Sequence, residues 1–440
     1  MRGQPARPHT LLPAERELAA ALGLSRSTVA AAYQSLRDSA HIRSLRGSGS
    51  VTLPLARRDV ALVDGGVEAV DLQQASPPAW PGLAGVFAEV AGSAATLVGR
   101  SGYDMRGSLL LRACIAARYT ARGVATTPEQ ILVTNGAQSA IHLLGRVLIG
   151  RGDRVVVETP TYPHAAEALR EAGGRLVGVP VSTAEGWDLE RVAQVFARTV
   201  PALAYLMPDF QNPTGRSMTP GEAEIVARSA ERAGTTLVLD ETTAELDIDR
   251  QVPGRSFDAW DDPSIVRLGS LGKTVWGGLR IGWVRAGEEL IRRLIAARPV
   301  HDLGTPEFEQ AVALALLERM DEIVPQRAAL LGGARDALRG ALNRRLPQWR
   351  VPRPEGGVSL WVELDAPLSA ALVMDVRTRG VLLSAGPRFS VDGGHDRHLR
   401  LPFTAPIEDY DAVVGNLAAS WERVRQGAPA TVLAGEDALV

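Results

Sequence analysis

The chain carries 48 basic residues among its 440, and a single one is lysine, Lys273. The other 47 are arginine, a bias that fits a GC-rich genome. Arginine replaces lysine as a surface charge, but its guanidinium stays protonated and cannot act as a nucleophilic amine. A lone lysine is therefore a candidate for amine chemistry; on the count alone it is equally a surface charge that escaped replacement. Its surroundings favour chemistry. Lys273 sits in Ser270-Leu-Gly-Lys273-Thr-Val-Trp-Gly-Gly-Leu-Arg280, just past an apolar run of strand type, Val266–Ser270. Ligands of open α/β sheets bind outside the carboxyl ends of the strands. Ser270 and Arg280 are suited to a phosphate dianion, the arginine bidentately. An amine beside a phosphate grip is what pyridoxal phosphate requires.

Three further strand ends offer matching groups. Asp240 closes Thr236-Leu-Val-Leu-Asp240, where a carboxylate can pair with a protonated pyridine nitrogen; alone it is as readily a helix cap. Asn212 lies in Gln211-Asn-Pro-Thr-Gly215, alone an ordinary turn. Gly136, Ala137 and Gln138 follow Ile131–Thr134 and open a helix, whose first backbone N–H groups can meet a phosphate.

The elements that carry these residues alternate. Short apolar runs at Arg154–Glu158, Leu176–Val181, Leu203–Pro208 and Ile281–Arg285 are spaced by longer segments, several of helical period, such as Glu222 to Ala233. That spacing predicts an α/β fold with a mainly parallel sheet covered on both faces. A helical stretch at Pro306–Arg345, strands at Val358–Leu364 and Val381–Ser384 and a helix at Tyr410–Arg425 predict a smaller α+β domain. The expected division is a large domain at about 95–300, a small one at about 300–425, and a disordered tail at 426–440.

Residues 1–60 differ in kind. They hold nine arginines against four acids, a net +5 on a chain whose formal charge is −2. A basic head on an acidic body suggests a polyanion partner for the head alone. Pro13 to Leu22 reads as a helix with Ala14, Leu18 and Ala21 on its apolar side. Gly23 breaks it, and Ser25 caps a second helix, Arg26 to Asp38, with Val29, Ala32, Tyr33 and Leu36 inward. Residues 41–51 read as a two-stranded wing. The head is thus expected at 1–54, and a linker at 55–75.

Composition narrows the class further. At 45% hydrophobic and 22% charged the chain has a globular core. Cys114 is the single cysteine, which excludes a disulfide framework or a cysteine-rich metal site and fits a reducing compartment. The histidines form no ligand cluster, so no metal is expected, His395 and His398 included. No signal peptide or membrane span is evident, and a cytoplasmic protein is expected.

In order and spacing, residues 70–425 resemble fold-type I pyridoxal phosphate-dependent aminotransferases. The resemblance implies that Lys273 carries the cofactor, Asp240 holds its ring nitrogen and Asn212 its phenolic oxygen. Ser270, Arg280 and the amides at Gly136, Ala137 and Gln138 would hold its phosphate. Tyr162, in Pro160-Thr-Tyr-Pro163, would stack on the ring. Arg400, in Leu399-Arg-Leu-Pro-Phe403, would clamp a substrate carboxylate. Tyr103 would reach the phosphate from the other subunit of a homodimer. One departure stands out: the tyrosine this family places two or three residues after the aspartate is replaced by Thr242-Thr243.

The head resembles a GntR-type winged helix-turn-helix, on Leu12-Pro-Ala-Glu-Arg16, Ser25-Arg26-Ser-Thr28-Val29 and Arg46-Gly-Ser-Gly49. The resemblance puts Arg26 on bases in the major groove, with Ser25 or Thr28 on phosphate. Arg16 and Arg46 would lie on backbone or minor groove. A helix that the family carries ahead of this run is not evident in residues 1–10, so the winged domain is expected to lack it. Head and body together resemble the MocR subgroup of GntR regulators. That implies a DNA-binding regulator sensing pyridoxal phosphate or an amino compound; the alternative is a working aminotransferase with a vestigial head.

Overall fold

The computed structural model describes residues 11–22, 24–38, 42–45, 49–52, 70–99, 101–251 and 254–427. The chain divides into two compact units, Met1–Val67 and Glu68–Val440. The wing turn with Arg46, most of the linker and the tail beyond residue 427 lie outside the described residues.

In the first unit, β1 (Leu11–Leu12), α1 (Glu15–Leu22), α2 (Arg26–Asp38), β2 (Ile42–Leu45) and β3 (Gly49–Thr52) follow one another. β3 lies between β1 and β2, antiparallel to both. Ser25 Oγ accepts the N–H of Thr28 at 3.1 Å, so α2 begins where a capping serine predicts. Ala19, Val29 and Tyr33 are the buried centre, with Leu12 and Leu18 against them. Tyr33 also donates to Pro13 O at 2.8 Å, tying the helix to the turn before α1. The expected stripe is corrected here: Ala14, Ala21 and Ala32 are exposed. Among the described side chains of α2, Val29 and Tyr33, an i, i+4 pair, are buried while alanine on the flank stays in water; the Leu36 side chain lies outside the described residues.

The second unit starts with β4 (Val70–Asp71), then α3 (Leu83–Gly92), α4 (Ala94–Leu97) and α5 (Leu109–Ala121). Next come β5 (Ile131–Thr134), α6 (Ala137–Leu148), β6 (Arg154–Thr159), α7 (Pro163–Glu171), β7 (Arg175–Ser182) and β8 (Gly186–Trp187). They are followed by α8 (Leu189–Thr199), β9 (Leu203–Leu206), α9 (Pro220–Ala233), β10 (Thr236–Asp240), β11 (Ile265–Ser270) and β12 (Gly282–Arg285). The eight-stranded sheet runs β5-β12-β11-β10-β9-β6-β7-β8. Its centre, from β7 to β11, is parallel, and β12 inserts antiparallel between β11 and β5. The near-continuous apolar runs of the central strands follow from helices covering both faces. Helix ends obey local chemistry. Asp188 caps α8 by accepting Arg191 N. Thr219 and Glu222 cap α9 reciprocally, and Gly234 ends it at φ 64°.

The rest comprises α10 (Glu288–Ala297), α11 (Glu307–Leu317), α12 (Met320–Arg345), β13 (Ser359–Glu363), α13 (Ser369–Arg377), β14 (Val381–Leu382), β15 (Ser384–Ala385), β16 (His398–Pro402) and α14 (Tyr410–Arg425). β13, β16 and β15 form an antiparallel sheet, and β14 pairs in parallel with β4. Two features differ from the sequence expectation. The helical stretch is two helices, and α11 packs Val312, Ala313 and Leu316 with Val86, Ile115 and Val133 in the core beside the large sheet. Residues 70–75, expected in the linker, belong to the fold. Leu72 and Ala75 sit in the core that α12, α14 and β13 share.

Candidate active site

The strand ends converge. Asp240 ends β10, Ser270 ends β11 and Lys273 follows it in a turn; Gly136 caps α6 after β5, and Asn212 lies in the turn after β9. All but Gly136 line one cavity of about 660 Å³, together with Tyr162, Ala137, Gln138, Arg280 and Arg400. Gly136 lies just behind, with φ 82°. A Cβ on it would come within 2.6 Å of Arg280 Nη2, so glycine is required twice over, by its backbone and by the guanidinium it lets approach. Arg280 adopts a left-handed φ of 51° and donates to Asn135 O at 3.0 Å. Strained backbone of this kind gathers at ligand sites. Ser270 Oγ donates to Ile281 O at 2.9 Å and accepts Gly272 N, which fixes its hydroxyl beside Arg280.

Lys273 Nζ donates to Ala75 O at 2.6 Å. Burial, aided by the charges of Arg400 and Arg280 and opposed by Asp240, pulls its pKa down to about 8. Asp240 accepts Tyr205 Oη at 2.5 Å and Thr242 N at 3.0 Å. Its burial raises its pKa, and these hydrogen bonds restrain the rise. Tyr162 caps α7 and its hydroxyl meets His164 Nδ1 at 3.3 Å. Arg400 is 5% exposed. It lies over the Phe389 ring at 4.8 Å, approaches Asn212 Oδ1 at 3.5 Å and donates to Gln73 O. Burial lowers its pKa to about 10.

Three groups of residues predicted from the sequence are not among those lining the cavity. Tyr103 is 69% exposed. Arg16 and Arg26 are exposed on α1 and at the start of α2. Ser25 and Thr28 share a hydrogen bond of 2.7 Å between their hydroxyls. Sequence reasoning missed Gln73 and Ala75, whose carbonyls meet Arg400 and Lys273, and the buried acid Glu158 behind the cavity. The replacement Thr242-Thr243 brings no phenol to this turn: Thr243 Oγ1 donates to Asp209 O at 2.9 Å.

The donor set fits a phosphorylated pyridine aldehyde. A half-buried amine of lowered pKa, a buried carboxylate, a phosphate-shaped corner at Gly136, Ser270 and Arg280, and a buried arginine share a cavity of ligand size. The buried Nε of Arg400 and Oε1 of Gln138 have no hydrogen-bond partner among the described residues. Among the described residues no group of three or more histidine, cysteine or acidic side chains could hold a metal, and no helix is long and apolar enough to cross a membrane.

Comparison with known proteins agrees with this geometry. Residues 95–417 match the family of class I and II aminotransferases, and residues 2–51 match the gntR family of bacterial regulatory proteins. A 2-aminoadipate transaminase of Thermus thermophilus is 32% identical over 292 residues, 65% of this chain and 73% of that protein. An uncharacterized HTH-type transcriptional regulator of Escherichia coli, YdcR, is 28% identical over 425 residues, 89% of this chain and 90% of its own. The crystal structure of LysN, an alpha-aminoadipate aminotransferase from Thermus thermophilus bound to N-(5'-phosphopyridoxyl)-L-leucine, superposes with a TM-score of 0.75 at 28% identity, over 82% of this chain and 94% of that one. The chain therefore belongs to the class I and II aminotransferases, with a gntR-type domain at its head in the combination that marks the MocR subgroup of regulators.

Proposed function

We propose that this chain is a DNA-binding transcription regulator of the MocR type that senses pyridoxal phosphate, or an amino compound together with it, through the cavity around Lys273. One observation carries this reading beyond the fold. Two cations of the cavity, the buried Arg400 and the half-buried Lys273, donate to main-chain carbonyls of one short segment, Arg400 to Gln73 O and Lys273 to Ala75 O. That segment follows directly on the stretch joining the two units. Any ligand that engages Lys273 or Arg400 competes for those donors and so acts on the chain leading to the head. A site built only for turnover has no need of that route. The transaminase relative supports the alternative, an aminotransferase with a head it does not use.

When bound, pyridoxal phosphate supplies an aldehyde for amines and a ring that draws electrons. The chain's own groups have separate tasks. Lys273 offers an amine that is partly neutral near pH 7. Asp240, steadied by Tyr205, holds a proton at the ring nitrogen. Asn212 faces the phenolic oxygen, and Tyr162 covers the ring. Ser270, Arg280 and the amides of Ala137 and Gln138 hold the phosphate, and Arg400 takes a ligand carboxylate in bidentate fashion. In the head, α2 enters the major groove with Arg26 on a base edge, while Thr28 and Arg16 meet phosphates; Arg46 in the wing adds to affinity. Ser25 serves there as the cap that orients α2. As a DNA-binding protein the chain works in the cytoplasm.

We infer a homodimer as well. Val98, Tyr103, Leu109, Leu110, Val300 and Leu303 are each at least half exposed. Arg298 ties two of their loops together by donating to Met105 O at 2.8 Å. An apolar surface of this kind calls for a partner, and a second copy would bring Tyr103 to the neighbouring phosphate. The deciding experiment is a mobility-shift titration with the intergenic DNA beside the gene, with and without pyridoxal phosphate and candidate amino acids. Ligand-dependent binding by the whole chain, lost in a chain lacking residues 1–67, is expected. Equal binding without the head overturns the regulator reading, and fast turnover of an amino acid with no DNA binding favours the enzyme.

A further inference from the structure

Glu158 stands next to last in β6 and is fully buried. Its carboxylate receives three N–H donors. Trp187 Nε1 reaches Oε1 at 3.0 Å, Met207 N reaches both oxygens at 3.2 Å, and Gln211 Nε2 reaches Oε2 at 3.1 Å. All three donors are neutral.

Gln211 passes the tie onward. The same Nε2 donates to Pro160 O at 2.7 Å, and its Oε1 accepts the N–H and hydroxyl of Thr214 at 3.0 and 2.7 Å. Pro160 comes two residues before Tyr162, and Gln211 comes directly before Asn212. One carboxyl and one amide thus lock the turn carrying the ring-facing tyrosine to the turn carrying the asparagine. The third donor, Met207, closes the link to the floor. It follows β9, whose Tyr205 donates to Asp240.

The titratable groups facing Glu158 are Asp240 from β10 and Tyr205 from β9. Burial drives the Glu158 carboxyl up to about 8; its N–H donors restrain that rise and the Asp240 charge adds to it. Burying an acid without a cation is costly, and such groups beside a ligand cavity gather at functional sites.

We propose that Glu158 is a positioning residue of the cofactor site: its carboxyl fixes the Tyr162 turn against the Asn212 turn. The inference rests on the pyridoxal phosphate reading. It requires no contact between Glu158 and the cofactor. The carboxyl acts through Gln211.

The test uses the full chain as wild type, Glu158→Gln and Gln211→Ala. Cofactor affinity is read by absorbance titration, and the position of the bound cofactor's absorbance band is recorded alongside. In Glu158→Gln an amide NH₂ faces donors that need an acceptor. Affinity should fall by about tenfold or more, and the band should move as the Tyr162 and Asn212 turns lose their alignment on the ring. Gln211→Ala breaks the same tie from its other end, so it should weaken affinity and move the band in the same direction. A folded Glu158→Gln protein that binds within about twofold of wild type with an unmoved band overturns the proposal. Should Glu158→Gln fail to fold, Gln211→Ala decides: affinity within about twofold of wild type overturns it. Wild type that binds no pyridoxal phosphate refutes the cofactor reading, and this inference with it.

Discussion

Capture of an aldehyde cofactor needs Lys273 as the neutral amine, so the pH dependence of loading reports on how the site treats that one side chain. With its pKa pulled down to about 8, Lys273 is about 24% neutral at pH 7.5, against about 0.1% for an ordinary lysine near 10.5. The site therefore supplies over about 200 times more reactive amine at that pH. After burial, the largest cause is the Arg400 charge, and Asp240 pulls the other way. Arg400→Gln removes a neighbouring cation, so the ammonium form becomes easier to keep and the pKa rises. Each unit of rise cuts the neutral fraction at pH 7.5 by just under about tenfold. Asp240→Asn has the opposite sign. The assay mixes cofactor-free full-length protein with pyridoxal phosphate in a stopped-flow instrument and follows absorbance between about pH 6 and pH 10. The wild-type rate should climb with a midpoint near 8, Arg400→Gln should move the midpoint up, and Asp240→Asn should move it down. A wild-type midpoint at the ordinary lysine value, or an Arg400→Gln midpoint that is unmoved or lower, refutes the electrostatic account.

The same shift bears on stability. A lysine whose folded pKa lies below its unfolded value opposes folding in its charged form. The penalty is full below about pH 8 and gone above about 10.5. Cofactor-free Lys273→Met should therefore be more stable than cofactor-free wild type at pH 7 by up to about 3 kcal/mol, with the gain vanishing in denaturant titrations at high pH. Borohydride reduction of the loaded protein should label one peptide, the one holding Lys273, and Lys273→Arg should abolish it; label confined to the N-terminal amine would contradict the assignment. DNA affinity should fall steeply between about 50 and 200 mM salt. Arg26→Ala should cost about 1–3 kcal/mol of discrimination at one base position, checked by competition with single-base operator variants.

Much of the site was legible because its residues are chemically costly to misplace. Lys273, Asp240, Asn212 and Ser270 each stand where an apolar strand runs out, and in a parallel sheet those ends share one edge. The spacing of strands alone brings them together. Gln73 and Ala75 gave no such signal. Their segment, Asp71-Leu-Gln-Gln-Ala-Ser-Pro-Pro78, is polar and aperiodic, and it is ordered by a two-residue strand whose partner, Val381–Leu382, lies some three hundred residues away. It also acts through carbonyl oxygens, which every residue has. Glu158 was hidden for the converse reason. A charged residue at the end of an apolar run reads as the point where the strand meets water, whereas here it is the most deeply buried acid of the site. Ala14, Ala21 and Ala32 misled because alanine fits either face of a helix.

The departure at Thr242-Thr243 gains weight from this geometry. Thr242 N and Tyr205 Oη each donate to one oxygen of Asp240, which orients the carboxylate and leaves acceptor sites on both oxygens for a further donor. Thr243 lines the cavity but donates its hydroxyl to Asp209 O, which braces the turn after β9. The proposed role of Asp240 at the ring nitrogen needs no phenol from its own turn, while a tyrosine oxygen that would adjust electron density at the phenolic position is absent from this turn. A site that binds the cofactor firmly and turns it over slowly is the behaviour a sensor needs, since a ligand that persists holds Arg400 and Lys273 away from Gln73 O and Ala75 O for as long as it stays. Restoring the phenol with Thr242→Tyr or Thr243→Tyr should therefore raise any slow transamination without improving ligand-dependent DNA binding. A rise in both would mean that turnover, rather than occupancy, is what the head responds to.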